Sequence, residues 1–353
     1  MKRIDSPLSH IVIGPAGQEL HELIGSLSPS SVCIIADTNT ASLCLPVLRK
    51  IGINAPLIEI PAGEIHKDIN TCIHIWSELI RLEISRNSLI INLGGGMVCD
   101  IGGFAAACFQ RGITFAHIPT TVLSMTDAAI GGKLGIDFEG LKNYIGLIRQ
   151  PDFVWIDPIF IETLPEIEKI SGLAEIVKHA IISNPVLFAM LQKVDSSGQI
   201  PWTELFKESI PVKLRIVELD PDETGIRKTL NFGHTIGHAL ESYLMTTPHP
   251  LTHGQAITIG MLVEAHVSHL TGLMAEADYT EARNLILHLL EPIRGTLPTF
   301  EALKTWIGRD KKKGIGGVGY SLPTAIGSCK WDVFVEEKAI SESYHWITTQ
   351  VLS

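Results

Sequence analysis

The chain has 353 residues, of which 45% are hydrophobic and 19% are charged, and its formal net charge is -10. This length exceeds what one hydrophobic core usually serves and predicts two domains. The negative charge argues against a general nucleic-acid-binding protein, which needs a basic surface. The apolar runs, such as residues 88–96, are shorter than the roughly 20 residues that cross a bilayer, so we expect no membrane span.

The cysteines and the N-terminus indicate the compartment. Six cysteines lie far apart, without a CxxC pair, which is typical of free buried thiols. The segment after "MKRIDSPLSH" meets Gly14 and Pro15 almost at once, so no signal-peptide core forms. We therefore expect a cytoplasmic protein.

The first half of the chain alternates short β-branched runs with amphipathic stretches such as "DINTCIHIWSELIRLE". This rhythm is typical of βαβ units, in which helices cover a parallel sheet. The sequence therefore predicts an N-terminal α/β domain with a Rossmann-like parallel sheet over residues 1–157. Its predicted strands are "IVIG" at 11, "VCIIAD" at 32, "APLIEI" at 55, "SLIINLGGG" at 88, "ITFAHIP" at 113 and "FVWID" at 153.

From about residue 158 the strand patterns nearly vanish and helical periodicity dominates. Pro158 follows the last predicted strand directly, and proline both ends strands and opens helices. We predict an all-α C-terminal domain over residues 158–353. Its predicted helices include "LAEIVKHAIIS", "WTELFKESIPVKLRIVELD", "HTIGHALESYL" and "AITIGMLVEAHVSHL".

A glycine run lies between a predicted strand and a predicted helix. "GGGMVCDIGG" follows "LIINL", so bare backbone N–H groups and a helix N-terminus come together at the carboxyl end of the strand. That arrangement suits a pyrophosphate, although a plain tight turn is the alternative. Asp37 and Asn39 follow the second strand, where Asp37 fits either a ribose contact or a helix N-cap. Glu64 and Lys67 in "PAGEIHK" also fit a solvated loop.

The second half contains a group of metal-ligating residue types. His234 and His238 are four residues apart and so share one helix face. His253 precedes another helix, and Glu175 lies within an apolar one. Burying several such groups without a shared partner costs several kcal/mol, whereas Glu with two His is the ligand set of a catalytic zinc site. Satisfied structural groups remain the alternative.

Cationic residues stand out against the negative charge of the chain. Lys133 and Arg227 lie in weakly charged, glycine-marked segments, and glycine permits close approach of a ligand to the backbone. We infer an anionic substrate that carries a phosphate group, although a solvated surface fits part of the set. The set comprises Arg111, Lys133, Lys142, Arg227 and the run "RDKKK" at 309–313.

Taken together, these motifs resemble the 3-dehydroquinate synthase family over nearly the whole chain. The blocks that carry the resemblance are "DTNT", "PAGEIHK", "GGGMVCDIGGFAAACFQRGI", "IPTTVLSMTDAAIGGKLGID", "LKNYIG", "TLPEIEKISGLAEIVKHAII", "RKTLNFGHTIGHALE", "LTHGQAITIGM" and "RDKK". The family's fold, a Rossmann-like NAD domain followed by an α-helical metal domain, agrees with the fold predicted from the patterns.

The resemblance implies roles for individual residues. It implies one divalent metal ion, zinc or cobalt, on Glu175, His234 and His253. It implies that NAD contacts Asp37, Asn39, Glu64, Lys67, Gly95, Gly96, Asp100, Thr120, Thr121, Thr163, Leu164 and Glu168. It implies that a sugar-acid phosphate is surrounded by Asp127, Lys133, Lys142, Asn143, Lys178, Arg227, Asn231, His238 and Lys312. Arg111 is expected to reach the site of a neighbouring subunit, which implies a homodimer.

The implied reaction converts 3-deoxy-D-arabino-heptulosonate 7-phosphate to 3-dehydroquinate and phosphate, a step of the shikimate pathway of aromatic amino-acid biosynthesis. It proceeds by transient oxidation by NAD, elimination of phosphate, return of the hydride and intramolecular aldol closure. NAD is therefore regenerated in each turnover. His238 is expected to assist proton movement beside the metal.

Three positions depart from the family pattern. Ala128 stands where the family usually has Ser, and Ile167 and Gly319 stand where it favours Arg. All three remove polar or cationic groups. They leave open a related sugar-phosphate cyclase with another substrate. A metal-dependent alcohol or polyol dehydrogenase is a further alternative. So is a non-catalytic relative, but such a protein would have no reason to retain buried charges that cost stability.

Overall fold

The computed structural model describes residues 1–139, 141–195, 199–245, 247, 250–290, 297–307, 313–314 and 317–352. By packing, the chain divides into two compact units, Met1–Pro165 and Glu166–Ser353. The predicted division after Asp157 differs from this one by the 3-10 helix Pro158–Thr163 and the two residues that follow it.

Unit 1 is built on a mostly parallel sheet, as the βαβ rhythm predicted. Its strands are β1 (Lys2–Asp5), β2 (His10–Ile13), β3 (Val32–Asp37), β4 (Leu57–Ile60), β5 (Leu89–Gly94), β6 (Thr114–Pro119) and, after a separate hairpin of β7 (Lys133–Phe138) and β8 (Leu141–Ile148), β9 (Phe153–Ile156). In the described part of the unit, the strand order across the sheet is β1-β2-β9-β6-β5-β3-β4. Only β1 with β2 is antiparallel among these pairings. All six predicted strands are confirmed, whereas β1 and the β7–β8 hairpin were not predicted.

The centre of this sheet explains why its strands are so apolar. Every residue of β5 is buried, because β5 lies between two parallel neighbours and its faces are covered. Asn92 is the polar exception, and its side-chain amide donates to Nδ1 of His117 at 3.2 Å. Burial lowers the pKa of His117 to about 3, so this imidazole is neutral and able to accept. The helices that accompany the sheet are α1 (Gln18–Ser26), α2 (Thr38–Leu43), α3 (Leu45–Lys50), α4 (Ile69–Arg81) and α5 (Gly96–Cys108).

Unit 2 is helical, as predicted. Its helices are α6 (Glu166–Ser183), α7 (Pro185–Leu191), α8 (Trp202–Leu219), α9 (His234–Leu244), α10 (His253–Leu270), α11 (Glu276–Leu290), α12 (Phe300–Ile307) and α13 (Glu337–Trp346). Helix α10 is buried along most of its length because α6, α9, α11 and α13 all pack against it. Within the described residues of the chain, no helix combines the length and apolarity that crossing a membrane requires.

Unit 2 also contains short antiparallel strands, which were not predicted from the sequence. They are β10 (Lys313–Gly314), β11 (Gly317–Val318), β12 (Tyr320–Ala325) and β13 (Ser328–Val333). β10 pairs with β11, and β12 pairs with β13. β12 packs against α10, so this hairpin is part of the core of the unit.

Helices α9 and α10 meet at backbone contact. A Cβ added at Gly260 would lie 1.9 Å from the carbonyl oxygen of Gly233, and one added at Gly237 would lie 3.1 Å from that of Ala256. Gly233, which precedes α9, has a φ of +79° that favours glycine. The two helices can therefore approach this closely only because these positions lack side chains.

We expect Gly260→Ala to destabilise the protein by about 2–3 kcal/mol, because its methyl group would force α9 and α10 apart. The measurement is urea denaturation followed by circular dichroism. Gly25→Ala is the matched control, since a Cβ added to this helical glycine would have no described atom within 4 Å apart from its chain neighbours and the nearby backbone of its own helix. That change should be neutral or stabilising by about 0.5–1 kcal/mol. Equal effects of the two substitutions would contradict the close contact.

Candidate functional site

The predicted metal ligands come together in unit 2. Glu175 lies in the middle of α6 and is 0% exposed, whereas His234 and His253 are the first residues of α9 and α10. Oε1 of Glu175 lies 3.6 Å from Nε2 of His234 and 3.5 Å from Nε2 of His253. Three residues from three helices thus present one ligand atom each to a common point.

The hydrogen bonds of the two imidazoles fix which nitrogen faces Glu175. Nδ1 of His234 donates to the carbonyl oxygen of Phe232 at 3.0 Å, and Nδ1 of His253 lies 3.4 Å from Oε2 of Glu241. Both acceptors require a proton on Nδ1, which leaves the lone pair on Nε2. Outer partners of this kind orient the histidine ligands of metals in many proteins.

This arrangement fits a divalent metal ion. Neither oxygen of Glu175 has a hydrogen bond of good geometry among the described residues, although Lys178 forms an ion pair with Oε2. Three electron-pair donors that face one another need a cation between them. Bonds of about 2.1 Å in a tetrahedral site separate ligand atoms by about 3.4 Å, close to the separations observed. A proton on His253 is the other cation that the geometry admits.

Burial and neighbouring charges set the ionisation of the three residues. Burial opposes ionisation of Glu175, but Lys178, with His234 and His253, holds the pKa of this carboxyl well below its usual range. Burial and then Lys178 hold the pKa of His234 well below its usual value, so His234 is neutral. Burial lowers the pKa of His253, but the nearby carboxylates of Glu175 and Glu241 outweigh it and raise the pKa to about 9, so a metal ion that binds here displaces a proton from His253.

Two further residues border the cluster. The ring of His238 lies 5.1 Å from that of His234 and 5.8 Å from that of His253, so the predicted proton carrier is beside the candidate metal centre. Glu241, one turn further along α9, was not predicted. Its position three residues after His238 in "HALE" is the signal that identifies it, because residues i and i+3 share a helix face.

The 3-10 helix Ile226–Asn231 carries two predicted substrate residues, Arg227 and Asn231. The carboxyl group of Asp220 accepts from the backbone N–H groups of Thr224 at 3.0 Å, Gly225 at 2.7 Å and Arg227 at 2.9 Å. Asp220 was not predicted. It ties down the loop from which the Arg227 side chain emerges.

In unit 1, several predicted NAD residues lie at the carboxyl ends of neighbouring strands. Asp37 ends β3, Gly95 follows β5 and Thr120 follows β6. The backbone N–H of Thr120 donates to the carbonyl oxygen of Gly94 at 2.9 Å. Gly95 is the N-cap of α5, whose first turn contains no acidic residue. Its backbone N–H groups and helix dipole suit an anion.

The structure confirms the helix N-cap, which was the alternative assignment of Asp37. Oδ1 of Asp37 accepts from the backbone N–H of Thr40 at 2.8 Å, and Thr40 Oγ1 accepts from the backbone N–H of Asp37 at 3.0 Å. This capping box anchors α2 and occupies one carboxylate oxygen of Asp37. Thr163 lies nearby, with Oγ1 3.7 Å from the thiol of Cys44, another residue that was not predicted.

A second polar cluster in unit 1 centres on Lys67, which is 3% exposed. Its Nζ lies 2.6 Å from Asp100 Oδ2, 2.5 Å from Asn143 Oδ1 and 3.5 Å from Glu64 Oε1. Burial raises the pKa of Asp100 to about 6, although Lys67 opposes this rise. The structure thus joins predicted NAD residues to Asn143, a predicted substrate residue.

The remaining predicted residues are distributed over both units. In unit 1, Asp127 lies in the π-helix Ser124–Ala128, and Thr121 hydrogen-bonds Ser124. Lys133, Lys142 and Asn143 lie on the β7–β8 hairpin and are exposed to solvent. Asn39 lies in α2, Leu164 follows the 3-10 helix Pro158–Thr163, Gly96 begins α5, and Arg111 lies in the turn after α5, whereas Glu168 belongs to α6 in unit 2. Lys312 lies outside the described residues.

The three departures from the family pattern lie in different surroundings. A Cβ added at Gly96 would lie 3.2 Å from Cβ of Ala128, so Ala128 borders the glycine run. Ile167 is 45% exposed in the first turn of α6. A Cβ added at Gly319 would lie 3.2 Å from Oδ1 of Asp332. None of these three residues belongs to the group formed by Glu175, His234 and His253.

Comparison with known proteins gives a consistent result. The family model for the 3-dehydroquinate synthase N-terminal region matches residues 57–171, and that for the C-terminal region matches residues 172–313. A 3-dehydroquinate synthase of Parabacteroides distasonis is 39% identical over 330 residues, which are 92% of this chain and 93% of that protein. One from Pyrococcus abyssi is 36% identical over 341 residues, with 94% and 97% covered.

Among solved structures, a 2-deoxy-scyllo-inosose synthase complexed with carbaglucose-6-phosphate, NAD+ and Co2+ aligns with a TM-score of 0.84. It is 23% identical in sequence, and the alignment covers 95% of this chain and 96% of that one. At this identity the likeness shows the fold alone. It confirms the predicted fold class of a parallel-sheet domain followed by a helical domain.

We expect Lys67→Met to leave Asp100 buried without its ion-pair partner and to destabilise the protein by about 3 kcal/mol at neutral pH. The pKa of Asp100 should rise further above about 6. Because a carboxyl with a raised pKa binds its proton more tightly in the folded state, the loss of stability should grow as the pH rises from about 5 to about 8. Urea denaturation at several pH values measures this.

The control for that experiment is Lys50→Met, which removes an exposed lysine from the last turn of α3. It should change the stability by less than about 0.5 kcal/mol. A loss of stability in Lys67→Met that does not vary with pH would contradict the proposed coupling to Asp100.

Proposed function

The chain belongs to the 3-dehydroquinate synthase family, and we propose on that basis that it converts 3-deoxy-D-arabino-heptulosonate 7-phosphate to 3-dehydroquinate and phosphate. It is then a lyase of the shikimate pathway. The observation that carries the proposal is the convergence of Glu175, His234 and His253 on one point, since the reaction needs an electrophile at a substrate hydroxyl.

We assign a zinc or cobalt ion to these three residues. When bound, such an ion supplies Lewis-acid polarisation of a substrate oxygen. Lys178 keeps Glu175 ionised, and the Nδ1 hydrogen bonds keep both Nε2 lone pairs directed at the ion. His238 is close enough to this point to accept a proton from the substrate and return it.

We assign NAD to the strand ends of unit 1. The backbone N–H groups of Gly95 and Gly96 would hold its pyrophosphate at the start of α5. Oδ2 of Asp37 is the oxygen available to a ribose, since Oδ1 caps α2. NAD supplies a hydride acceptor that is restored within each turnover. The other residues assigned to it are Asn39, Glu64, Lys67, Asp100, Thr120, Thr121, Thr163, Leu164 and Glu168.

Cationic and polar side chains would hold the phosphate and carboxylate of the substrate. A chain of net charge -10 needs local cations for this purpose, and charge-assisted hydrogen bonds fix the geometry of the anion. Asp220 supports the assignment of Arg227, because it holds the arginine's backbone in place. The residues assigned to the substrate are Asp127, Lys133, Lys142, Asn143, Lys178, Arg227, Asn231, His238 and Lys312.

We further propose a cytoplasmic homodimer. The six cysteines are free thiols, as a reducing compartment requires. The turn after α5 supports a functional role for Arg111, because Gln110 and Arg111 both have positive φ angles, of 49° and 65°. Strain of this kind in non-glycine residues concentrates at functional sites. Arg111 would act in the site of the partner subunit.

The expected result in a direct assay is phosphate release from 3-deoxy-D-arabino-heptulosonate 7-phosphate in the presence of NAD and Zn2+, without net NADH absorbance. A chelator or His253→Ala should abolish release, because each removes part of the metal centre. His345→Ala is the matched control: it changes an exposed histidine of α13, and activity should be retained.

Each alternative predicts a different outcome of that assay. Net accumulation of NADH would favour a dehydrogenase. No phosphate release with metal and NAD demonstrably bound would favour a cyclase with another substrate.

The homodimer generates a complementation test. Arg111→Ala and His253→Ala should each be nearly inactive alone. If Arg111 acts in the partner's site, half of the dimers in an equimolar refolded mixture are hybrids with one complete site of two, so activity should recover to about a quarter of wild type. No recovery, with hybrid dimers verified by differential tagging, would contradict a shared site.

A further inference from the structure

Glu264 is a buried acidic residue to which no part of the proposed reaction assigns a role. It lies in the fourth turn of α10, in the apolar run "MLVEAHV", and is 0% exposed. An acidic side chain is rarely buried completely unless its oxygens are paired, since an unpaired one costs several kcal/mol. The partners of Glu264 therefore indicate why it is there.

Its carboxyl group binds the start of another helix. Oε2 of Glu264 accepts from the backbone N–H of Gly233 at 2.6 Å, and Oε1 accepts from that of Ile236 at 3.2 Å. The first N–H groups of a helix have no partner within the helix. The N-cap of α9 is Gly233, which has no side chain to satisfy them. Glu264 supplies from α10 the cap that α9 lacks.

The capped residues enclose a candidate metal ligand. His234 lies between Gly233 and Ile236 and is the first residue of α9. His253 is the first residue of α10, the same helix that carries Glu264. A hydrogen-bonded link between α9 and α10 at this point therefore fixes the backbone of one histidine relative to the helix of the other.

We infer that Glu264 is a positioning residue, which holds His234 at the distance from His253 that metal binding requires. This inference rests on the metal centre of the proposed function. The glycine contacts between the helices support it, because Gly260 and Gly233 bring α9 and α10 to backbone contact, which places the start of α9 within reach of a carboxyl group on α10. Outer residues that orient metal ligands commonly change metal affinity by about 10- to 100-fold when they are replaced.

The test is Zn2+ and Co2+ binding to metal-free protein carrying Glu264→Gln. Glutamine keeps one acceptor oxygen but places an NH2 group against one of the two N–H donors. Zn2+ affinity, measured by chelator competition well below the unfolding temperature, should fall about 10-fold or more. The d–d absorption of the Co2+ form should change in position or intensity, which a general loss of stability would not cause.

Asp220→Asn is the matched control. Asp220 is another buried carboxyl group of unit 2 that accepts from backbone N–H groups, but its partners are Thr224, Gly225 and Arg227. Its replacement should lower the unfolding temperature and leave Zn2+ affinity unchanged. If Glu264→Gln does not fold, Glu264→Asp keeps both oxygens on a shorter side chain and should show the same change in smaller measure.

The outcomes separate this inference from the proposed function. Wild-type Zn2+ affinity and an unaltered Co2+ spectrum in folded Glu264→Gln would overturn the positioning role. An equal loss of affinity in Asp220→Asn would overturn it as well, because the effect would then follow from stability. Failure of the wild-type protein to bind either metal would instead overturn the metal centre itself.

Discussion

The structure of unit 2 depends on one constraint: the buried Glu175 carboxylate and the Nε2 atoms of His234 and His253 converge on one point. Glu175 is 0% exposed, so water cannot solvate its charge, and only a cation makes the arrangement favourable. Lys178 supplies part of that charge from the next turn of α6. The negative charge that is still uncompensated lies at Oε1, which both Nε2 atoms face. A divalent ion satisfies all three donors at once, whereas a proton satisfies only one pair.

The position of the two histidines at the starts of α9 and α10 follows from the same constraint. A helix N-terminus carries partial positive charge, which adds to the burial and to Lys178 that keep His234 neutral, whereas at His253 the carboxylates of Glu175 and Glu241 outweigh it. The free N–H groups at each start must nevertheless be satisfied. α10 uses the capping box of Thr252 and Gln255, whereas α9 has Gly233 as its N-cap and is capped by Glu264 of α10. Ligand geometry and helix capping are thus parts of one arrangement.

Local patterns predicted much of this from the sequence. The six apolar strands, the α9 and α10 helices and the one-face spacing of His234 and His238 are all consequences of periodicity, and they are confirmed. The roles of Glu264 and Asp220 could not be predicted, because their partners are backbone N–H groups that have no sequence signature. The β12–β13 hairpin was missed because β12 is stabilised by packing on α10 and β13 by packing on α6, while both strands have weak alternation of their own. The presence of these helices was therefore predictable, whereas the capping of their ends by side chains distant in sequence was not.

The environment of Lys67 sets a limit on how it can serve NAD. An ammonium group has three N–H donors, and Asp100, Asn143 and Glu64 offer one oxygen each to this one. A direct contact with the cofactor would require one of these bonds to be exchanged. Glu64 is the weakest partner, at 3.5 Å and 40% exposed, so it is the bond most readily given up. The bonds to Asp100 and Asn143 would then persist, and Lys67 would continue to join α5 to the β7–β8 hairpin while one donor turned to the ligand. Lys67 thus links the segments that carry the predicted NAD and substrate residues, and under the proposed assignment it would contact NAD only by displacing Glu64.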